Sequence, residues 1–468
     1  MASGALAKAP ASRRGLSGEI PNVSLNKKTD YSRRSFLKLA GAAAAGPLFA
    51  FKGRLGLGSK SLRIAKWAHF VPEFDPWFVG MAKEWGEQHD TEVTVDLIPP
   101  EQIRERAQAE VEARKGHDLV IFPWPPAEFA RHVIDHAPIY QALRLRHGVI
   151  DALAHRSTYH VPSRRYFAFC DSWLPAPFHY YTDEWAEAGM PMGPLNYGSL
   201  RSGGKRIKEK VGMSCGLALT PTLEGNITLN TLLVAFGGAV MDVHGTVLLE
   251  RGARTIEALK YARLLAEETG PPDALLWGPS DNVRMMLERK TTCSINAISL
   301  MRSAEARAPE AAEQMRLSPP LLGPGVGVVG VPHVTNCSAV WDFSTNKEGA
   351  TSFLADLPDV SKTAYERSRG CNFPIFQKTL PDLIVRLESD ERANPPGKYK
   401  ELKDALHWTH NLGVPGYATP AFMETFNRFV IPRMFLSVVR GESTPEGAVH
   451  AAQLEVQDIV NRWNNAPA

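Results

Sequence analysis

Leu62-Arg63-Ile64-Ala65-Lys66-Trp67 alternates its side chains at period two, the pattern of a half-buried strand. The residues beyond it decide how that strand is used. Pro76 to His89 reads as an amphipathic helix, Glu92 to Ile98 as a second strand, Pro100 to Arg114 as a helix, and Asp118 to Phe122 as a third strand. Strand–helix–strand–helix–strand predicts a parallel sheet covered by helices, with its ligand edge at the strand C-termini. Large rings follow two of those ends: Trp67, His69 and Phe70 in one loop, Phe122 and Trp124 in another. Aromatics at that edge are placed to meet a ligand.

A second α/β stretch begins near Phe178. It is expected to hold strands at Gly216 to Leu219 and Thr292 to Ala297, with helices at Thr228 to Phe236, Thr255 to Glu268 and Asn282 to Arg289. Ser318 to Val329, rich in Gly and Pro, suits a loop and strand leading out of it. A short strand Val340 to Phe343 and a helix Lys347 to Leu357 come next. The tail is read as helices Tyr399 to His410, Pro420 to Arg440 and Thr444 to Trp463, with a Gly/Pro loop from Leu412 to Pro420.

Ahead of all this stands Ser32-Arg33-Arg34-Ser35-Phe36-Leu37-Lys38, followed by the soft apolar run Leu39 to Phe51. That is the pattern of a twin-arginine export signal. The run is about 13 residues, short of the ~20 that span a bilayer. Ala43-Ala44-Ala45 fits a small-residue cleavage site, and no cysteine follows it to take a lipid anchor. Residues 1–58 hold ten of the 53 Lys and Arg and two of the 50 Asp and Glu, so the remainder is near −5 although the whole chain is +3. No basic patch argues for nucleic acid. The five cysteines (Cys170, Cys215, Cys293, Cys337, Cys371) lack the spacing of zinc ribbons, iron–sulfur ligation or haem attachment, and no cofactor is expected. One or two disulfides remain open in an oxidising compartment, and the sequence does not pair them.

The order of segments resembles a known family. The matching pieces are the first strand ending in Trp67, Val93-Thr94-Val95, Gly116-His117-Asp118-Leu119-Val120 and Tyr180-Tyr181-Thr182-Asp183. Phe236-Gly237-Gly238 with Asp242, Thr255-Ile256-Glu257-Ala258-Leu259, Ser344 to Ala350 and Ser443-Thr444-Pro445-Glu446 continue the series. No single piece is a strong motif; their order over residues 60–463 is similar to family 1 extracellular solute-binding proteins of ABC importers, the sugar-type class that includes maltose-binding protein. Thr182 stands where relatives often carry Asn, and His117 where they carry Pro. The resemblance implies an α/β fold of two lobes with hinge crossings and a ligand cleft between them. The crossings would fall near Asp171 to Ala176, near His333 to Ser338, and within Asn394 to Leu412. Residues 1–58 would be the signal region, 59–172 with 337–395 the first lobe, and 173–336 with 396–468 the second. The implied function is a periplasmic, monomeric receptor, exported through the twin-arginine machinery. It would deliver a carbohydrate or polyol to permease subunits in the inner membrane.

Sugar rings offer flat C–H faces to aromatic side chains and a fringe of hydroxyls to amides and carboxylates. The resemblance places Trp124, Asp171 and Trp173 at the cleft, with Glu224, Asn226 and Tyr417 from the other side. Trp67, His69, Phe70, Trp277, Asp281, Asn296, Asn336 and Trp341 complete the candidates. Each has a plainer reading: Trp67 as core, Asp171 and Trp173 as hinge, Asn226 and Asp281 as helix caps. Two other ligands stay open. Tyr180-Tyr181 is the kind of pair that ferric-ion receptors use, and Asp75, Asp171, Glu224 and Asp281 with Trp67 and Trp173 would suit a polyamine. An enzyme needs a nucleophile–base set or paired carboxylates, and no such signature is present. His132 and His136, spaced i, i+4, read as a solvated helix face.

Overall fold

The computed structural model describes residues 60–325 and 327–465; Arg33, Arg34 and the apolar run lie outside them. Strand β1 (Lys60–Trp67) runs parallel to β2 (Thr91–Ile98), with Lys60 opposite Thr91 and Trp67 opposite Ile98, and parallel to β3 (Leu119–Phe122) on its other side. Helices Phe74–Gln88 and Ile103–Ala113 make the two connections. This is the predicted parallel unit, but β1 is buried on both faces from Ile64 to Trp67 rather than half-buried, because β2 and β3 flank it and helices cover it. A two-stranded ribbon, β4 (Tyr159–His160) and β5 (Arg165–Tyr166), stands apart. Strands β6 (Phe169–Leu174), β10 (Val334–Val340) and β11 (Phe373–Pro374) extend the first sheet to six, in the order β11-β6-β10-β3-β1-β2.

The second sheet has three antiparallel strands: β7 (Phe178–Tyr181) at its centre, flanked by β8 (Cys293–Ile295) and β9 (Met315–Ser318). The chain leaves the first sheet between β6 and β7 through Pro175-Ala176-Pro177, where two residues without an N–H end the ladder. It returns between β9 and β10. The two passages lie side by side: Leu174 pairs with Val334, and the His333 N–H donates to the Leu174 carbonyl at 2.9 Å. Helix Leu223–Ala235 is buried on nearly every face, which is why its sequence shows no amphipathic stripe. It lies beneath Arg254–Thr269 and the C-terminal helices.

Several expectations change. Gly216 to Leu219 is extended but forms no strand; its contact with the sheet is one bond from the Gly216 N–H to the Cys293 carbonyl beside the Ser214–Thr291 bridge. The strand is Val334–Val340, so of the expected Val340 to Phe343 only Val340 belongs to it; Trp341 makes an isolated bridge with Val133 and Asp342-Phe343 turn away. Tyr399 to His410 is a 3₁₀ turn (Lys398–Leu402) and a single short turn (Ala405–Trp408). The long helix Pro420 to Arg440 is two, Pro420–Asn427 and Val430–Val439, parted by Phe429 at φ 53°. Pro432 explains the break, since mid-helix it would lack a donor and clash with the preceding turn. His132 and His136 precede a helix and do not lie on one; His136 is fully buried, takes the Val340 N–H on Nε2 and is held neutral by burial. Helix Tyr197–Val211 escapes sequence reading because Gly203 and Gly204 sit on its buried face. A Cβ at Gly204 would meet the Cys215 sulfur at 2.5 Å, so the pair serves close packing.

Candidate ligand-binding site

The strand ends of the first sheet gather the first group of sequence candidates into one network. Lys66 Nζ donates to Asp75 Oδ1 and to the Trp67 carbonyl, both at 2.8 Å, and Asp75 Oδ2 accepts the His69 N–H at 2.9 Å. His69 Nδ1 accepts the Val71 N–H, which leaves the ring proton on Nε2, 3.0 Å from Asn372 Oδ1. Burial, reinforced by Lys66, pushes His69 down to about 3, so the ring is neutral. Trp67 is completely buried and donates from Nε1 to Asn336 Oδ1 at 2.8 Å. Asn336 donates to Ser172 Oγ, which donates to Asp171 at 2.6 Å. Burial raises the Asp171 carboxyl to about 6. A cavity of about 40 Å³ lies against Lys66, Asp171, Asn336 and Asn372, large enough for little more than water. Phe70 rests on Trp67 and, edge-on, on His333. Trp173 is buried edge-on to Phe373, its Nε1 without a partner.

A second group forms where the loop after β3 meets the C-terminal helices. Trp124 is 8% exposed. Its Nε1 donates to Asn427 Oδ1 at 3.3 Å and its ring stands edge-on to Phe426. Asn427 donates to Glu128 at 3.4 Å, and the Glu128 carboxylate lies against the Arg104 guanidinium. Arg104 NH1 and Glu128 Oε2 are buried with no hydrogen-bond partner. From below, Asn226 donates to the Phe426 carbonyl at 2.7 Å. Beside Glu128 opens a cavity of about 530 Å³, bounded by Arg131, Met241, Val243 to Gly245, Tyr417, Thr419 to Ala421 and Trp463. That volume is in the range of small-molecule sites, roughly 300–1,000 Å³. Tyr417 lines it, its ring near those of His155 and Tyr159.

The remaining candidates fall elsewhere. Glu224 accepts the Ser280 N–H, its second oxygen is buried without a partner, and burial raises its pKa. Trp277, buried against Ala274 and Met285, also has an unpartnered Nε1. Asp281 accepts the Gly278 N–H and pairs with Arg284. Thr222, not Asn226, caps the helix at Leu223. Asn296 accepts the Ala297 N–H and faces Asn282. Trp341 is completely buried among Phe122, Phe129 and Phe343 and donates to Glu110 at 3.1 Å. Sequence reasoning missed Arg104, Glu128 and Asn427. The Pro123-Trp124-Pro125-Pro126 loop pointed to the neighbourhood, but nothing in the helical periods of Arg104 or Asn427 set them apart.

The twin-arginine translocation pathway signal sequence, as a family, matches residues 30–50. The signal directs export to the periplasm, and no described helix is long and apolar enough to cross a membrane. No curated protein matches the chain. Solved structures do. An ABC-transporter solute-binding protein from Thermotoga lettingae, bound with α-D-tagatose, superposes with a TM-score of 0.70 at 19% identity, over 86% of this chain and 100% of its own. A putative oligosaccharide periplasmic-binding protein from Synechococcus gives 0.72 at 18%, over 86% and 100%. A solute-binding protein from Agrobacterium radiobacter in complex with ribitol gives 0.66 at 17%, over 86% and 98%.

The fold is that of an ABC-transporter solute-binding protein. All three of these structures are binding proteins. In that fold, the paired passages at Leu174 and Val334 are where the chain crosses between the first sheet and the second.

Proposed function

We propose that this chain is a monomeric, non-enzymatic receptor that captures a carbohydrate or polyol and passes it to the permease subunits of an ABC importer. In this reading 59–172 with 337–395 and 173–336 with 396–468 are the two lobes. One observation carries it. At the Trp124 junction an aromatic ring, an amide, a carboxylate and a guanidinium come together from both lobes, with buried polar atoms still unpartnered. Glu128 borders the neighbouring cavity, so ligand hydroxyls there would meet its carboxylate, which Arg104 and Asn427 hold from behind. The neighbouring 530 Å³ is where such a ligand fits. The structural neighbours, which include solute-binding proteins bound with tagatose and in complex with ribitol, agree with this chemistry.

The alternatives have less support. A polyamine needs several free carboxylates together; Asp75 is matched to Lys66 and Asp281 to Arg284, which leaves only Asp171, bonded to the Ser172 hydroxyl, and Glu224, with one unpartnered oxygen. Ferric ion needs exposed tyrosines; Tyr180 and Tyr181 are buried and Tyr181 donates to the Met286 carbonyl at 2.6 Å. A thermal-shift screen of the mature protein against sugars, polyols, polyamines and ferric ion tests the proposal. A ligand at a hundredfold its Kd adds about 2.7 kcal/mol of stability. The expected result is a shift with one sugar or polyol class, abolished by Trp124→Ala. A shift confined to polyamine or iron would overturn the ligand class.

A further inference from the structure

All five cysteines are buried thiols in the structure. Four of them meet in two pairs. Cys170 on β6 stands directly opposite Cys337 on β10 in the antiparallel ladder, and the two thiols are within hydrogen-bonding reach. Residues so opposed have Cα atoms roughly 4.5–5.5 Å apart, inside the roughly 4.4–6.8 Å that a disulfide spans. The second pair is Cys293 on β8 and Cys215 on the extended segment beside it. The Gly216 N–H donates to the Cys293 carbonyl at 2.9 Å, Ser214 bridges Thr291, and these thiols too are within reach of each other. Only the fold brings the partners together, since no C-x-x-C spacing exists in the sequence.

Two such meetings among five cysteines occur in a chain whose export signal sends it to an oxidising compartment. We propose that the exported protein carries two disulfides, Cys170–Cys337 and Cys215–Cys293, and keeps Cys371 as a free thiol. Among the described residues no cysteine stands opposite Cys371, whose charged neighbours are Arg302, Glu305, Arg369 and Arg392. In each pair one thiolate attacks the disulfide of an oxidised protein dithiol oxidant, forming a mixed disulfide and freeing one oxidant thiol. The second thiolate then displaces the oxidant's remaining sulfur. Each pair gives up two electrons and two protons, and the oxidant leaves as a dithiol. Burial holds the Cys170 and Cys293 thiols well above their usual range, so exchange proceeds through opening of the strands rather than in the closed fold. The first bond joins the two strands that lead into the lobe crossings. It fixes their register in the first sheet and leaves Pro175 to Pro177 free to turn.

The test counts thiols. Protein recovered from the periplasm is denatured without reductant, alkylated with iodoacetamide, digested and mapped by mass spectrometry. The same is done for an Arg33→Lys, Arg34→Lys variant retained in the cytoplasm. The exported protein is expected to show alkylation at Cys371 alone, linked peptides for both pairs, and a mass lower by four hydrogens; the retained one is expected to show five alkylated cysteines. An exported Cys337→Ala variant should free Cys170 and keep the Cys215–Cys293 link. Five alkylated cysteines in the exported wild type, a link to Cys371 or a crossed pairing would overturn the proposal. A single link would overturn it for the other pair.

Discussion

The Lys66 network and the Trp124 junction look alike in sequence and differ in their accounts. Each combines tryptophan, a charged pair and side-chain amides at the C-terminal edge of the first sheet. Around Lys66 nearly every donor has found an acceptor inside the protein, from Asp75 to His69 and from Trp67 through Asn336 to Asp171. Around Trp124 the hydrogen bonds are long, at 3.3 and 3.4 Å, and buried atoms of Arg104 and Glu128 have none. A buried polar atom without a partner costs about 1–3 kcal/mol, and this is the contrast on which the proposed placement of the ligand beside Trp124 rests.

The sharpest break comes from Lys66→Met. It leaves Asp75 buried opposite no charge and should cost about 3–5 kcal/mol in urea denaturation, with ligand affinity of the folded fraction kept. A stable variant with lost affinity would move the binding site to Lys66. At the other pole, Asn427→Ala removes the amide between Trp124 and Glu128. Titration calorimetry with the ligand found in the screen should show affinity reduced about tenfold to a hundredfold, roughly 1.5–3 kcal/mol, with stability changed by less than about 1 kcal/mol. Unchanged affinity would make the junction a mere lobe contact.

Asp171 sharpens the contrast through pH. Its folded pKa of about 6 is raised above the ordinary value of 3.8 by burial. The folded state therefore holds the proton more tightly, and the associated stability is full below about pH 4 and lost as pH rises through 6. Asp171→Asn mimics the protonated form, so it should match wild type near pH 4 and exceed it above pH 6 by about 3 kcal/mol. A flat difference across that window would mean the carboxyl is not buried as described. The smallest effect belongs to Trp341→Phe, which loses one bond to Glu110. It should cost about 1 kcal/mol of stability and no affinity. Weakened binding there would return Trp341 to the site.

The period-two and helical runs from Leu62 to Phe122 were enough to read the parallel unit of the first sheet, because strand pairing there follows local order. Reading failed where long-range packing overrides local pattern. Pro432 divides a run that looks helical, and Gly203-Gly204 conceals a helix that needs them for contact with Trp185 and Cys215. The same divide runs through the site. Trp124, central to the proposed site, stood out as a candidate because its ring follows a strand end in a Pro-rich loop. Arg104 and Asn427 did not, because each looks like an ordinary helix residue until two distant segments meet.

By itself, then, the sequence determined the compartment, through Arg33-Arg34 and the short apolar run, and the α/β class, through its alternating periods. These properties are written in neighbours along the chain. The tertiary structure decided which of the tryptophans are core, which carboxylates are already paired, and which cysteines face each other. Those depend on contacts between residues far apart in sequence, and periodicity holds no record of what lies across from a side chain.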